Sequence, residues 1–168
     1  MKQNVVDAVN RQIREEMQSA YAYLDMSAHF EARKLPGAAN WMRNQAREEV
    51  AHAMKFFDFL IRRGERPRLA AVEAPSTEFN SILEAFELAL SHEQHITQCI
   101  HDLFDLAQRE RDYPLQTLLH WFIDEQVEEE EAAEGIIDSI RLAGESGEAM
   151  FMIDRELGLR QPEDEEEA

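Results

Sequence analysis

Only six glycines and five prolines occur in 168 residues, and they cluster, so long stretches of chain carry no helix breaker. Asn4 with Asp7 predicts a helix start, and the helical pattern runs on to about Arg33. Leu35-Pro36-Gly37 interrupts it, and Pro36 suits the first turn of a second helix ending near Arg63. Residues 64–80 hold Pro67 and Pro75 with no sustained period, which predicts a long connection. Ser81 and Glu84 form a capping-box pattern for a third helix reaching about Arg109. Asp112-Tyr113-Pro114 starts a fourth, which stops before Gly144, and a short fifth runs from about Gly147 to Leu157 with Gly158 behind it. The long helices, at roughly 28 residues each, would be roughly 42 Å in length. Two short turns and one long crossover predict an all-α four-helix bundle with a short C-terminal fifth helix. One domain is expected over residues 1–158, followed by an acidic tail over 159–168.

Composition narrows the setting. A hydrophobic share of 44% suffices for one core, yet no apolar run approaches membrane-spanning length. The opening residues, MKQNVVDAVNRQ, lack the basic-then-apolar layout of a signal peptide. A single cysteine, Cys99, excludes an intramolecular disulfide and reads as a small buried thiol in a reducing cytoplasm. Acidic residues outnumber basic ones 35 to 17, for a net charge of −18. Such a surface repels nucleic acid and attracts cations.

The residues on the buried stripes carry the functional information. Core-facing positions of a bundle recur seven apart. In the first helix such a row reads Val9, Glu16, Tyr23, Phe30. In the second it reads Met42, Glu49, Phe56, with His52 seven before Phe59. The third gives Phe86, Glu93, Ile100, and the fourth gives both Leu119, Gln126, Ala133 and Phe122, Glu129, Ile136. The two helical hairpins repeat one pattern, because a shift of 77 carries Glu16, Glu49 and His52 onto Glu93, Gln126 and Glu129. Glu16, His52, Glu93 and Glu129 each lie about 17 to 19 residues from a hairpin turn, so they fall at one depth. Four buried carboxylates without partners are costly, at several kcal/mol per ion. No Lys or Arg falls on these rows to neutralise them. Divalent cations do so, and oxygen-rich sites with one imidazole suit iron, manganese or zinc.

At these residues the chain resembles the bacterial non-haem ferritins. The matching stretches are Glu48-Glu-Val-Ala-His52, Glu93-Gln94 and Trp121-Phe-Ile-Asp-Glu-Gln-Val-Glu-Glu-Glu130. The ending Leu142-Ala-Gly-Glu-Ser-Gly-Glu148, followed by Phe151-x-Ile153-Asp154, is also similar to the family's. Ferritin-like di-iron bundles of this kind are a known architecture. The resemblance implies a ferroxidase centre in which Glu16, Glu49 and His52 bind one iron and Glu93 and Glu129 the other. Glu49 would bridge the pair, Gln126 would orient oxygen or a ligand, and Tyr23 would supply an electron. The alternative for Tyr23 is a plain core aromatic. The family's third iron site corresponds to Glu48, Glu125 and Glu128 with Glu129 shared, although glutamate runs on a helix are usually a solvated face. Bacterioferritins carry a second Glu-x-x-His where this chain has Gln126-x-x-Glu129, and their haem methionine corresponds to Val50, so no haem is expected.

The expected function is therefore iron storage. Fe(II) would be oxidised by O2 or H2O2, and the Fe(III) product stored as mineral inside a homo-oligomeric cage. The resemblance implies 24 subunits, with the fifth helix lining the four-fold axes. Membranes and nucleic acids are not expected partners. A di-iron oxidase or peroxidase without a storage role would use the same core ligands, as would a metal buffer without redox turnover; a purely structural bundle would bind no metal.

Overall fold

The computed structural model describes residues 1–75, 79–144 and 146–161. Five helices occur among them: α1 (Gln3–Ala32), α2 (Pro36–Arg62), α3 (Ile82–Glu110), α4 (Tyr113–Ala143) and α5 (Gly147–Leu157). These bounds lie within a few residues of the expected ones. The first start differs. The N-cap is Lys2, without a side-chain cap bond. Asn4 and Asp7 instead act on the surface, Asn4 donating to Glu110 and Asp7 accepting from Gln3. At α3 the Ser81 hydroxyl accepts from the Glu84 amide, but the Glu84 carboxylate caps the amide of Asn80 rather than of Ser81. The α4 start is stronger than its sequence suggests. Asp112 caps the Leu115 amide and also receives both guanidinium nitrogens of Arg63, at 2.7 and 3.2 Å.

The crossover sets the helix directions. The Arg68 amide donates to Asn10, Glu73 exchanges two hydrogen bonds with Gln18, and Asn80 accepts from Arg33. The connection, in its described residues, thus follows α1 from Asn10 to Arg33 just past its end. It brings the start of α3 to the far end of the bundle, and α3 returns until Glu110 pairs with Lys2. Hence α1 and α4 run one way and α2 and α3 the other. No helix among the described residues is long and apolar enough to cross a membrane.

The apolar core is divided in two. One cluster packs Met26, Phe30, Met42, Phe79 and Phe86 with Ile153 and Leu157 of α5. The other packs Val9, Ile13, Phe56, Ile100, Leu119 and Phe122 toward the opposite end. The rows of seven are buried as expected, except that Ile137 rather than Ile136 is the fully buried residue in α4. A straight helix drifts about 20° per seven residues, which moves Ile136 off the seam.

The fifth helix is clamped to the start of α2. The Asp154 carboxylate accepts from the Ala38 amide at 2.9 Å. A β-carbon on Gly37 would lie 1.6 Å from the Asp154 carbonyl oxygen, so only glycine allows this approach. Gly37→Ala is therefore expected to push α5 off the bundle and lower stability by about 1–3 kcal/mol, the usual range for overpacking. Chemical denaturation checks this, and an unchanged midpoint would show that α5 contributes nothing at this contact.

Candidate metal centre

The gap between the two apolar clusters is filled by the side chains singled out in the sequence. Glu16, Glu49, His52, Glu93, Gln126 and Glu129 are each at most 7% exposed, while among the described residues no Lys or Arg is fully buried. Each helix contributes because its seven-residue row reaches a polar member at this level. Glu16 follows Val9 on α1, Glu49 precedes Phe56 on α2, Glu93 follows Phe86 on α3, and Gln126 and Glu129 follow Leu119 and Phe122 on α4.

Two groups within the layer have the spacing of a metal site. Glu16, Glu49 and His52 each offer an atom within 4.8 Å of the others, and so do His52, Glu125 and Glu129. His52 belongs to both. Its Nδ1 lies 3.7 Å from Glu49 and its Nε2 lies 3.9 Å from Glu125. Glu93 is in neither group. Tyr23 donates its hydroxyl proton to one carboxylate oxygen of Glu93, and Gln126 approaches the other at 3.3 Å. Tyr23 is thus tied to a candidate ligand as well as packed in the core, where its ring meets Trp41 edge-on. Glu128 is exposed, whereas Glu48 is buried at 5% exposure and Glu125 is half-buried.

Several residues that the sequence analysis did not single out hold this layer. Gln12 donates to Glu16 at 2.9 Å, and Gln45 donates to Glu129. Arg160 reaches Gln45 and Glu48. The two glutamines carried a faint signal, since Gln12 lies one helical turn before Glu16 and Gln45 lies seven before His52. Arg160 carried none, falling in the segment assigned to the tail; residues 162–168 of that segment lie outside the described residues. Cys99 is half-buried beside His95 rather than enclosed, and burial still pushes its thiol up to about 11.

The electrostatics follow from burial. Burial pushes Glu16 up to about 7, partly opposed by hydrogen bonds involving Gln12 and Glu49. It lifts Glu49 well above the ordinary carboxylate range, and the charges of Glu93, Glu16 and Glu129 add to the shift. Glu129 rises for the same first cause, then through Glu93 and Glu48. Glu93 also rises by burial, against the donors Tyr23 and Gln126. Glu16 Oε2 and Glu49 Oε1 have no hydrogen-bond partner unless one of these two carboxyls keeps its proton and shares it with the other. Burial, then Lys55, lowers His52 to about 4, so at neutral pH its imidazole is uncharged and offers a lone pair. Oxygen-rich groups with one neutral imidazole and buried unpartnered oxygens suit a divalent transition-metal ion.

A pH dependence follows for the metal-free protein. A carboxyl whose pKa is raised by folding favours the folded state below its unfolded value, and that contribution is lost as pH rises through the folded pKa. For Glu16 the window runs from 4.5 to about 7. His52 acts oppositely, contributing above 6.5 and losing its contribution as pH falls toward about 4. Four raised carboxyls outweigh one depressed imidazole. The metal-free protein should lose stability from about pH 5 to about pH 7, and Glu49→Gln should flatten the trend. Thermal melts check this, and a melting temperature that climbs over that interval would contradict it.

Comparison with known proteins agrees with the geometry. The model of the ferritin-like domain family matches residues 6–143. The bacterial non-heme ferritin of Staphylococcus saprophyticus is 39% identical over 160 residues, covering 95% of this chain and 96% of its own. That of Escherichia coli is 40% identical over 157 residues, covering 94% and 95%. Among solved structures, the open-pore ferritin of the hyperthermophilic archaeon Archaeoglobus fulgidus superposes with a TM-score of 0.94 at 46% identity, covering 96% of this chain and 99% of that one. A humanized archaeal ferritin gives 0.95 at 43% identity, covering 98% and 99%. A carboxylate layer between two apolar half-cores, on a backbone that follows theirs from end to end, places this chain in the ferritin family.

Proposed function

We propose that this ferritin oxidises Fe(II) at the buried layer and stores the ferric product within an oligomeric cage, in the cytoplasm. The observation that carries the reading is the set of buried carboxylates beside a neutral His52, with Glu16 and Glu49 left oxygens that only a shared proton or a cation would satisfy. One ferrous ion would take Glu16, Glu49 and His52, and the other Glu93 and Glu129, with Glu49 between them. Each ferrous ion gives up one electron. Dioxygen receives both and, with two protons, leaves as hydrogen peroxide. Water bound to the ferric product is strongly acidified and releases protons, which drives hydrolysis toward mineral.

The protein's own part is positional. Gln12 and Gln45 aim Glu16 and Glu129 inward, and Gln126 and Tyr23 hold Glu93. A second ion at Glu93 would share the carboxylate with these donors, so the Tyr23 hydroxyl would lie beside the centre. Burial and the neighbouring carboxylates keep that hydroxyl protonated. Metal binding would lower the layer's negative charge and with it this barrier. Tyr23 would then give one electron and its hydroxyl proton only to an oxygen species reduced beyond peroxide, a third electron that the two ferrous ions do not supply. Glu48, Glu125 and Glu128, with Glu129, would form a third iron site on the flank.

Storage needs an enclosure, and the surface supports one. Leu142, Phe151, Met152 and Leu159, on and beside α5, are between 68% and 91% exposed, apolar side chains suited to subunit contacts. The proposed assembly is the 24-subunit shell. Mixing the metal-free protein with Fe(II) in air should produce ferric absorbance, and the iron should co-elute with a particle of cage mass. Glu49→Ala should slow oxidation by at least about tenfold, the lower end of what damage to a metal site costs. An unchanged rate in that variant would refute the assigned ligands. Iron oxidation without retention in a large particle would favour an oxidase that stores nothing.

A further inference from the structure

The flank of the centre already holds a cation. Arg160 lies just beyond α5, and its guanidinium forks over two acceptors. Nη2 lies 2.5 Å from Glu48 Oε2, and Nη1 donates to Gln45 Oε1 at 2.6 Å. The same Gln45 donates its amide proton to Glu129 Oε2 at 2.5 Å. A hydrogen-bonded relay thus runs from the C-terminal segment to a ligand of the centre. The placement is built rather than incidental. The guanidinium carbon sits 4.6 Å above the Trp41 ring. The Arg160 carbonyl accepts from Asn40 at 3.1 Å and from Asn44 at 3.3 Å. Its side chain is only 21% exposed and that of Glu48 only 6%.

We propose that Arg160 is a resident cation that occupies the carboxylate flank of the centre, so that a third metal ion binds there only by displacing it. The inference rests on the reading that the buried carboxylates bind metal. On its Glu48 side the flank as it stands is assembled for the guanidinium, whereas Glu125 and Glu129 join His52 in a metal-spaced group. Glu48 faces Arg160, Glu125 faces His52, and neither Glu48 nor Glu128 joins the metal-spaced groups among the described residues. A divalent ion bridging Glu48 and Glu129 would compete with Arg160 for the first and, through Gln45, alter the orientation of the second. When Arg160 leaves, Gln45 loses its acceptor-side partner and can turn. The C-terminal segment would thereby set how readily ions pass from the centre to the flank. Its readiness to move is decided by α5, which Gly37 and Asp154 hold against α2.

Zn(II) is the probe, because it binds carboxylate and imidazole without redox change. Calorimetric titration of the assembled metal-free protein should show two tight ions per subunit and a weaker third in the wild type. In Arg160→Gln the third should bind about tenfold tighter, as expected for removing one competing, partly buried hydrogen bond between charged groups, worth about one decade in affinity. The first two ions should change less than the third. Adding Glu48→Gln to that variant should abolish the gain. Arg160→Lys keeps a cation near Glu48 but lacks the second arm for Gln45 and should fall between wild type and Arg160→Gln. It also decides the matter if Arg160→Gln fails to assemble. A third-ion affinity unchanged in both variants overturns the proposal, and so does a gain that survives Glu48→Gln. Failure of the wild type to take up any Zn(II) would instead overturn the metal-centre reading on which the proposal stands.

Discussion

Like charges held together in a medium that cannot solvate them dominate this structure. Burial raises Glu16, Glu49, Glu93 and Glu129 together, and the charge of Glu93 adds to the shift of the other three, while hydrogen bonds with Glu49 ease Glu16 and Glu93. Without metal, the bundle can relieve this only by retaining protons or by recruiting neutral donors. It uses the donors sparingly: Gln12, Gln45, Gln126 and Tyr23 satisfy some oxygens and leave Glu16 Oε2 and Glu49 Oε1 wanting. Replacing such a layer with apolar residues is commonly neutral or stabilising in other proteins. The carboxylates are therefore an expense of stability for which the proposed metal binding gives a reason.

The rest of the fold serves that layer. Four helices of similar length meet at their midpoints, and two apolar half-cores, one at each end, hold the layer in register. The end near Phe79 and Phe86 is closed by α5, whose C-terminal side delivers Arg160 to the flank of the centre. The other end is closed by side-chain pairs: Arg63 with Asp112, and Lys2 with Glu110. Division of the core in this way would let the layer take up metal while both ends stay packed.

Much of this was legible in the sequence because it rests on period. Glu16 between Val9 and Tyr23, or Glu93 between Phe86 and Ile100, is a carboxylate at an apolar position, and periodicity exposes it directly. The helix ends were legible where glycine or proline marks them, as at Pro36 and Gly144. The start of α1 was not, because its boundary is set by Lys2 without a capping side chain. Gln12 and Gln45 carry only a faint signal because a neutral amide at a helix position is ordinary until its partner is known. Arg160 could not be found by period at all. Its role depends on where α5 turns the chain, and that turn is fixed by Gly37 packing on Asp154, a contact between residues 117 positions apart in sequence. Burial of Glu48 was hidden for the same reason, since a glutamate beside Glu49 reads as solvated until a cation from elsewhere covers it.

The most direct trial is to soak crystals in ferrous salt under strict exclusion of oxygen and collect anomalous diffraction at the iron edge. The account predicts iron among Glu16, Glu49 and His52, with a second ion beside Glu93 and Glu129. An iron-free layer, its carboxyls still paired through shared protons, would contradict it.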